Sequence, residues 1–314
     1  MSIRRIRQWK KDLLKADFTN PVLKGEYADP DLVCFDGVWY LYPTTDGFEN
    51  WSGTQFYVFS SEDGISFHNE GLILDVASEQ VPWASGSAWA PCIARKNGKY
   101  YFYFCAKDKS GSSCIGVAVA EHPAGPFQAQ HQPLLTMEMM KKYGISMGQT
   151  IDPSIYQEDG DTWLLFGNGN PAIVKLQDNM TSICVETLRN LEGAFDFREA
   201  ITVLKRQGIY HFTWSCDDTG SENYHVNYGT SESLTGPITY RYAILEKDPE
   251  RDILGTGHHS ISAVPGEDTY RIAYHRFATP LAKYDKGKGF HRETCIADLR
   301  FGADGLMEKV EMKN

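Results

Sequence analysis

Asp29-Pro-Asp-Leu-Val-Cys-Phe-Asp-Gly37, running straight into Trp39-Tyr-Leu-Tyr42, is the stretch on which the fold turns. A β-rich run ends in Asp-Gly and an aromatic run follows, so the residues predict a hairpin closed by a two-residue turn. The pattern recurs. Trp89-Ala-Pro-Cys-Ile-Ala-Arg-Lys-Asn-Gly98 leads into Tyr100-Tyr-Phe-Tyr103, and Asp152-Pro-Ser-Ile-Tyr-Gln-Glu-Asp-Gly160 into Thr162-Trp-Leu-Leu-Phe166. Glu199-Ala-Ile-Thr-Val-Leu-Lys-Arg-Gln-Gly208 leads into Tyr210-His-Phe-Thr-Trp214. A weaker copy, His258-His-Ser-Ile-Ser-Ala-Val-Pro-Gly266, leads into Tyr270-Arg-Ile-Ala-Tyr-His275.

Behind each hairpin stands at least one more candidate strand, at 55–60, 115–120, 172–176, 224–229 and 294–300. Helical periodicity is confined to residues 3–14 and 137–143. Small sheets repeated at near-constant spacing predict an all-β fold, a five-bladed β-propeller that hides most strand edges by radial repetition. One catalytic domain is expected over residues 1–314, with blades starting near 29, 89, 151, 199 and 258 and an N-terminal extension over 1–20. A β-sandwich would share the regular turns, but five near-equivalent units favour the propeller.

Composition narrows the function. Hydrophobic residues make up 42% and charged residues 23% of the chain, as in an ordinary globular protein. A formal charge of −10 argues against a partner held through phosphates, so no nucleic acid is expected. The longest apolar run, 100–106, is too short to span a bilayer, so no membrane association is expected. Six basic residues (Arg4, Arg5, Arg7, Lys10, Lys11 and Lys15) are not followed by an apolar run of signal-peptide length. Seven cysteines, most inside strand-like segments, read as free thiols. Together these give the expectation of a reducing, cytoplasmic location. No Cys-x-x-Cys or His-Glu-x-x-His motif signals zinc.

The first residue of each copy stands 8, 9, 8, 9 and 8 positions before its turn glycine. Equivalent positions of a propeller surround its axis, so Asp29, Trp89, Asp152, Glu199 and His258 are expected to converge on one cavity. Three carboxylates make a costly structural lining, because like charges repel and burial adds to the cost. Glycoside hydrolysis supplies a reason for them, since it needs a proton donor on one side of the scissile bond and a base on the other. Glu192 is a rival acid out of phase with Gly208, and Asp31 a rival to Asp29 on the same side of an ideal strand. Trp89 offers a face for a sugar ring, and Trp51, in the loop after the first hairpin, a pocket wall. The Met-rich segment 136–148 reads as side chains packed over a blade.

These residues resemble glycoside hydrolase family 43. The resemblance rests on Asn20-Pro-Val-Leu23, Tyr27-Ala-Asp-Pro-Asp31, Trp89-Ala-Pro91, Asp152-Pro-Ser154, Glu199 before Lys205-Arg-Gln-Gly208, and Gly257-His258 before Tyr274-His-Arg276. It covers most of the chain, and it departs where the family often has Gly-Pro or Ala-Pro after the acid and this chain has Ala200-Ile201. It implies a five-bladed propeller in which Asp29 is the general base, Asp152 raises the acid's pKa and orients it, and Glu199 is the general acid. It also implies Arg276 in the sugar pocket and, near His258, a water network or a calcium ion on the axis, with no cofactor required for the chemistry. The substrate so implied is a small oligosaccharide from plant cell walls, losing α-L-arabinofuranosyl or β-D-xylosyl groups with inversion. Because the fifth repeat runs to the end of the chain, without the C-terminal β-sandwich of many β-xylosidases in the family, arabinofuranosidase activity is favoured. Alternatives are an endo-arabinanase, a galactofuranosidase, or a carbohydrate-binding propeller without catalysis.

Overall fold

Each repeat folds as one antiparallel sheet in the computed structural model, which describes residues 18–284 and 287–313. The helix expected at 3–14 and the basic cluster lie outside the described residues. Blade one comprises β1 (Tyr27–Phe35), β2 (Val38–Thr45), β3 (Gln55–Ser61) and β4 (His68–Asp75). Blade two comprises β5 (Ala84–Lys96), β6 (Lys99–Asp108), β7 (Ser113–Ala120) and the short β8 (Gln128–Ala129) and β9 (Leu135–Thr136). Blade three holds β10 (Ser154–Glu158), β11 (Asp161–Phe166), β12 (Ala172–Leu176) and β13 (Ile183–Asn190). Blade four holds β14 (Glu199–Arg206), β15 (Ile209–Cys216), β16 (His225–Ser231) and β17 (Thr239–Leu245). Blade five has β18 (Gly257–Ala263), β19 (Tyr270–Phe277) and β20 (Arg292–Leu299).

The turns are those the sequence predicts. Asp36-Gly37, Asn97-Gly98 and Asp159-Gly160 all have positive φ at both residues, the geometry that matches strand twist across a two-residue hairpin. Gln207 takes the same conformation at φ 51° before Gly208, without the tolerance of Asn or Asp for it.

The core is divided among the blade interfaces. Five buried clusters join blade one to two, two to three, three to four, four to five, and five back to one. The last contains Leu32 and Trp39 from blade one with Ala273 and Ile296 from blade five, and so closes the ring. Residues expected as an N-terminal extension take part: Phe18 is buried there and Asn20 bonds both the N–H and the C=O of Ile296, while just beyond them Val22 N–H donates to Thr294 O. The Met-rich segment forms helix α1 (Met137–Lys142), capped by the Thr136 hydroxyl, with Met140 buried and Met139 and Met147 packed on the interface of blades two and three. No helix among the described residues is long and apolar enough to cross a membrane.

Candidate active site

A kink repeated in every blade builds the site. Eight residues before each turn glycine the innermost segment has positive φ: Asp29 (48°), Ala90 (40°), Asp152 (60°), Ala200 (58°) and His258 (36°). The strand register slips around four of these positions, between Ala28 and Asp31, Trp89 and Cys92, Glu199 and Thr202, and Gly257 and His259. Asp29, Asp152 and His258 therefore occupy equivalent places on the kink, whereas Trp89 and Glu199 stand one residue before it. The near-constant phase read from the sequence resolves into two adjacent rings of residues.

Left-handed backbone costs a non-glycine residue about 1–2 kcal/mol, and each kink is held by the preceding blade. Ala90 N–H donates to Thr44 Oγ1 (2.7 Å), Asp152 N–H to Cys105 Sγ (3.1 Å), His258 N–H to Ser215 Oγ (2.9 Å) and Asp29 N–H to His275 Nδ1 (3.3 Å). The acceptors come from the second strands of blades one, two, four and five. Blade three has no side chain at the matching Gly167, whose own N–H donates to Ile151 O, and there the Ala200 amide acts on the Asp152 carboxyl by lowering its pKa.

A cavity of about 320 Å³ opens at the axis, at the small end of the ~300–1,000 Å³ usual for ligand pockets. Asp29, Asp152, Glu199, Trp89, Trp51 and His258 all line it. Trp51 Nε1 donates to Gly289 O (2.7 Å) and its ring meets Phe290 edge-on, while its own carbonyl accepts from Trp89 Nε1 (2.6 Å). The two indoles form one wall, with Lys107 Nζ 5.2 Å from the Trp89 ring. A larger groove of about 590 Å³ around Arg206 and Arg241 contains none of these residues.

The rivals lie elsewhere. Asp31 faces a water-sized axial void of about 20 Å³ and accepts from Ile93 N–H, with burial pushing its carboxyl up to about 7. The slip between Ala28 and Asp31 breaks the alternation that would have made residues 29 and 31 equivalent. Glu192 is exposed on a separate surface cleft.

Arg276 requires a correction. It pairs with Glu293 (2.8 Å), its register partner on β20, and does not line the cavity. Residues paired across a ladder share a face, so Arg276 and Glu293 face one way while His275 and Arg292 face the other, toward Asp29. Arg292 lines the cavity, as does Arg198 beside Glu199. Arg292 Nη1 lies 3.0 Å from Asp29 Oδ1 and 3.1 Å from Thr219 Oγ1, and Asp46 orients Arg292 through Nε (2.8 Å), Nη2 (3.2 Å) and the backbone N–H (3.0 Å).

The surroundings drive the carboxyls apart. Burial alone would raise Asp29, but Arg292, His258 and His275 outweigh it and hold the group well below the usual carboxylate range. Burial raises Glu199, with the Asp29 charge adding to it; bonds from Tyr224 OH to Oε1 (2.9 Å) and from Asn168 Nδ2 to Oε2 (2.8 Å), with Arg198 3.8 Å away, offset part of the rise. Asp152 is raised further, by burial and then by Glu199 and Asp29, and its Oδ2 is buried without a hydrogen-bond partner. His258 is pushed down by burial, with the Asp29 charge opposing the shift. Tyr224, Asn168, Asp46 and Arg292 lie outside the repeat phase, so the sequence pattern gave no signal for them.

The axial calcium expected beside His258 does not fit these residues. Calcium takes six to eight oxygen ligands, whereas His258 offers nitrogen and Asp29 is engaged by Arg292 and His275. Among the described residues no group of three or more His, Cys, Asp or Glu side chains is arranged to hold a metal ion.

A carboxyl held below its usual range and another raised above it, both lining one cavity, suit the base and acid that cleavage of a glycosidic bond requires. On a five-bladed propeller this defines a glycoside hydrolase. Residues 18–307 match glycosyl hydrolases family 43, and the chain belongs to that family. It is 32% identical to a β-D-galactofuranosidase of Aspergillus niger over 91% of this chain and 83% of that one. It is 28% identical to a xylosidase/arabinosidase of Bacteroides ovatus over 93% and 98% of the two chains. A family 43 enzyme of Xanthomonas citri, solved with xylose, superposes with a TM-score of 0.77 at 26% identity over 96% of both chains.

Proposed function

We propose that this glycoside hydrolase is exo-acting and inverting, and removes terminal α-L-arabinofuranosyl or β-D-xylosyl residues from short plant cell-wall oligosaccharides. The observation that carries the reading is that Asp29, paired with Arg292, and Glu199, bonded by Tyr224 and Asn168, line one cavity of about 320 Å³ in surroundings that lower the first carboxyl and raise the second. Asp29 takes a proton from the attacking water, and Glu199 gives its proton to the leaving-group oxygen. Asp152 and Glu199 are buried close enough to resist ionising together, so the pair retains a proton for donation. Trp89 and Trp51 present indole faces to the sugar ring, and Arg292 supplies directed hydrogen bonds. No cofactor enters these steps. The sugar assignment draws support from the xylosidase/arabinosidase relatives and from the xylose-bound neighbour. A galactofuranosyl group is the second reading, because the Aspergillus niger relative has the higher identity. Action in a reducing compartment is also proposed, supported by the seven unpaired cysteines.

Aryl α-L-arabinofuranoside, β-D-xylopyranoside and β-D-galactofuranoside, hydrolysed in parallel with the product anomer followed by NMR, test the reading. Turnover of either pentoside with inversion is expected. Activity on the galactofuranoside alone would reassign the sugar, and net retention would reject the mechanism. Glu199→Gln should lower kcat on oligosaccharides by about 10³-fold while sugar affinity persists; an unchanged rate would remove Glu199 from the acid role.

A further inference from the structure

Tyr224, immediately before β16, is fully buried, yet its hydroxyl is aimed at Glu199 Oε1, 2.9 Å away. Its ring stacks on His275 with centroids 5.5 Å apart and planes 7° from parallel, and His275 Nδ1 lies 3.0 Å from Asp29 Oδ1. Gly257 closes a further side: a Cβ there would stand 2.3 Å from Tyr224 Cε1, so the glycine gives the ring its place. The ring therefore bridges the two reacting carboxyls, touching one directly and the other through an imidazole. Space-filling alone would be met by phenylalanine, which would bury no hydroxyl.

We propose that Tyr224 is a positioning residue for proton donation, holding the Glu199 carboxyl in place and stabilising the carboxylate left behind when its proton has gone. The inference rests on the reading of Glu199 as general acid. In the step, the Glu199 O–H bond breaks and its proton passes to the glycosidic oxygen. The bond from that oxygen to the anomeric carbon breaks with its electron pair going to oxygen. Water adds to the anomeric carbon and loses a proton to Asp29. Tyr224 keeps its own proton throughout and donates to Glu199 Oε1 more strongly once that group is charged.

The charged and polar groups facing the phenol are Glu199, Asp152, Ser215, Asp29 and Arg292. Those facing Glu199 are Tyr224, Arg198, Asp29, Asn168 and Asp152. Tyr224 and Asn168 are the neutral donors in that set. Loss of one weakens the ionised form of Glu199, so the acid holds its proton to higher pH and gives it up less readily.

Tyr224→Phe keeps the ring, the stack on His275 and the contact with Gly257. It is to be compared with the parent on two glycosides of one sugar, a dinitrophenyl glycoside whose leaving group needs no proton and an oligosaccharide whose leaving group does. Expected are a roughly 10- to 100-fold loss of kcat on the oligosaccharide, less than about threefold on the dinitrophenyl glycoside, and an alkaline limb of kcat/KM moved to higher pH. Equal losses on both substrates with the limb unmoved mean a packing role and overturn the proposal. Glu199→Gln measured alongside separates the two layers. If it abolishes oligosaccharide hydrolysis and Tyr224→Phe changes nothing, this inference alone fails; if Glu199→Gln is also silent, the acid assignment has failed first. Should thermal unfolding show that Tyr224→Phe does not fold, 3-fluorotyrosine at 224 preserves shape with a more acidic hydroxyl. The alkaline limb then moves to lower pH, and a limb that stays in place overturns the proposal.

Discussion

Arg292 decides the charge state of the residue proposed as base. Burial is the largest influence on Asp29 and favours the protonated form; Arg292 is the foremost of the groups that reverse it. With the folded-state pKa depressed, the stabilisation from this pair is present above the unfolded value of about 3.9 and is lost as pH falls through the lower folded value. Arg292→Met removes the opposing charge while burial remains, so the Asp29 carboxyl rises and the acidic limb of kcat/KM moves to higher pH. A loss of about 100-fold in kcat/KM near pH 6 is expected, checked by a full pH–rate profile; an unmoved acidic limb would refute this account of Asp29. The sequence placed the carboxylates and Trp89 in the cavity because those residues recur with the turn glycines, and Trp51 only through its place in the loop after the first hairpin. The family resemblance pointed to Arg276 and gave no sign of Arg292, because a single sequence does not show which face of a strand a residue takes. Only the ladder, with Arg276 opposite Glu293 and Phe277 opposite Arg292, assigns the faces.

At the scale of the strand, the repeated kink explains why the hairpins were legible and the site geometry only partly so. Asp-Gly and Asn-Gly announce the turns through their own backbone preferences. The kink has no such signature, since Asp, Ala and His all occupy it, and what stabilises it is a side chain on the preceding blade. A count of 8 or 9 residues to the glycine thus reads as noise in the sequence, whereas in the fold it separates Asp29 and Asp152 on the kink from Glu199 before it. Thr44→Val tests the device where no reacting carboxyl takes part. It preserves shape but leaves the buried Ala90 N–H without its acceptor at 2.7 Å. The expected cost is about 1–3 kcal/mol of unfolding free energy, read from denaturant midpoints at constant m-value. A concurrent rise in KM should follow if the kink sets the Trp89 wall, and an unchanged midpoint would show that the capping bond contributes nothing.

For the whole molecule, the ring must close between its last and first blades, and a buried arginine sits at that seam. Arg271 of β19 is almost wholly buried, with its guanidinium 4.6 Å from the Trp39 ring of blade one and 5.0 Å from Phe18. Its Nη1 donates to Gly64 O (2.9 Å), in the turn between β3 and β4, so one side chain from blade five reaches two places on blade one and the segment preceding it. Closure of this kind was not legible in the sequence, which has the fifth copy as the weakest and the residues before 20 as an appendage. Arginine suits the position because its flat, weakly hydrated head can stack on two aromatic faces while its edge donates. Arg271→Ala leaves a cavity between the rings and an unsatisfied carbonyl at Gly64, and should cost about 3–5 kcal/mol. Arg271→Met refills most of the volume and loses mainly the donor, so its cost should be smaller, about 1–3 kcal/mol. In calorimetry both variants should melt below the parent, with Ala lower than Met, by roughly 2–4 °C per kcal/mol. Because Arg271 does not line the catalytic cavity, kcat/KM measured well below the transition should remain at the parent value. Equal melting temperatures for all three proteins would mean that the seam is held by its apolar cluster alone.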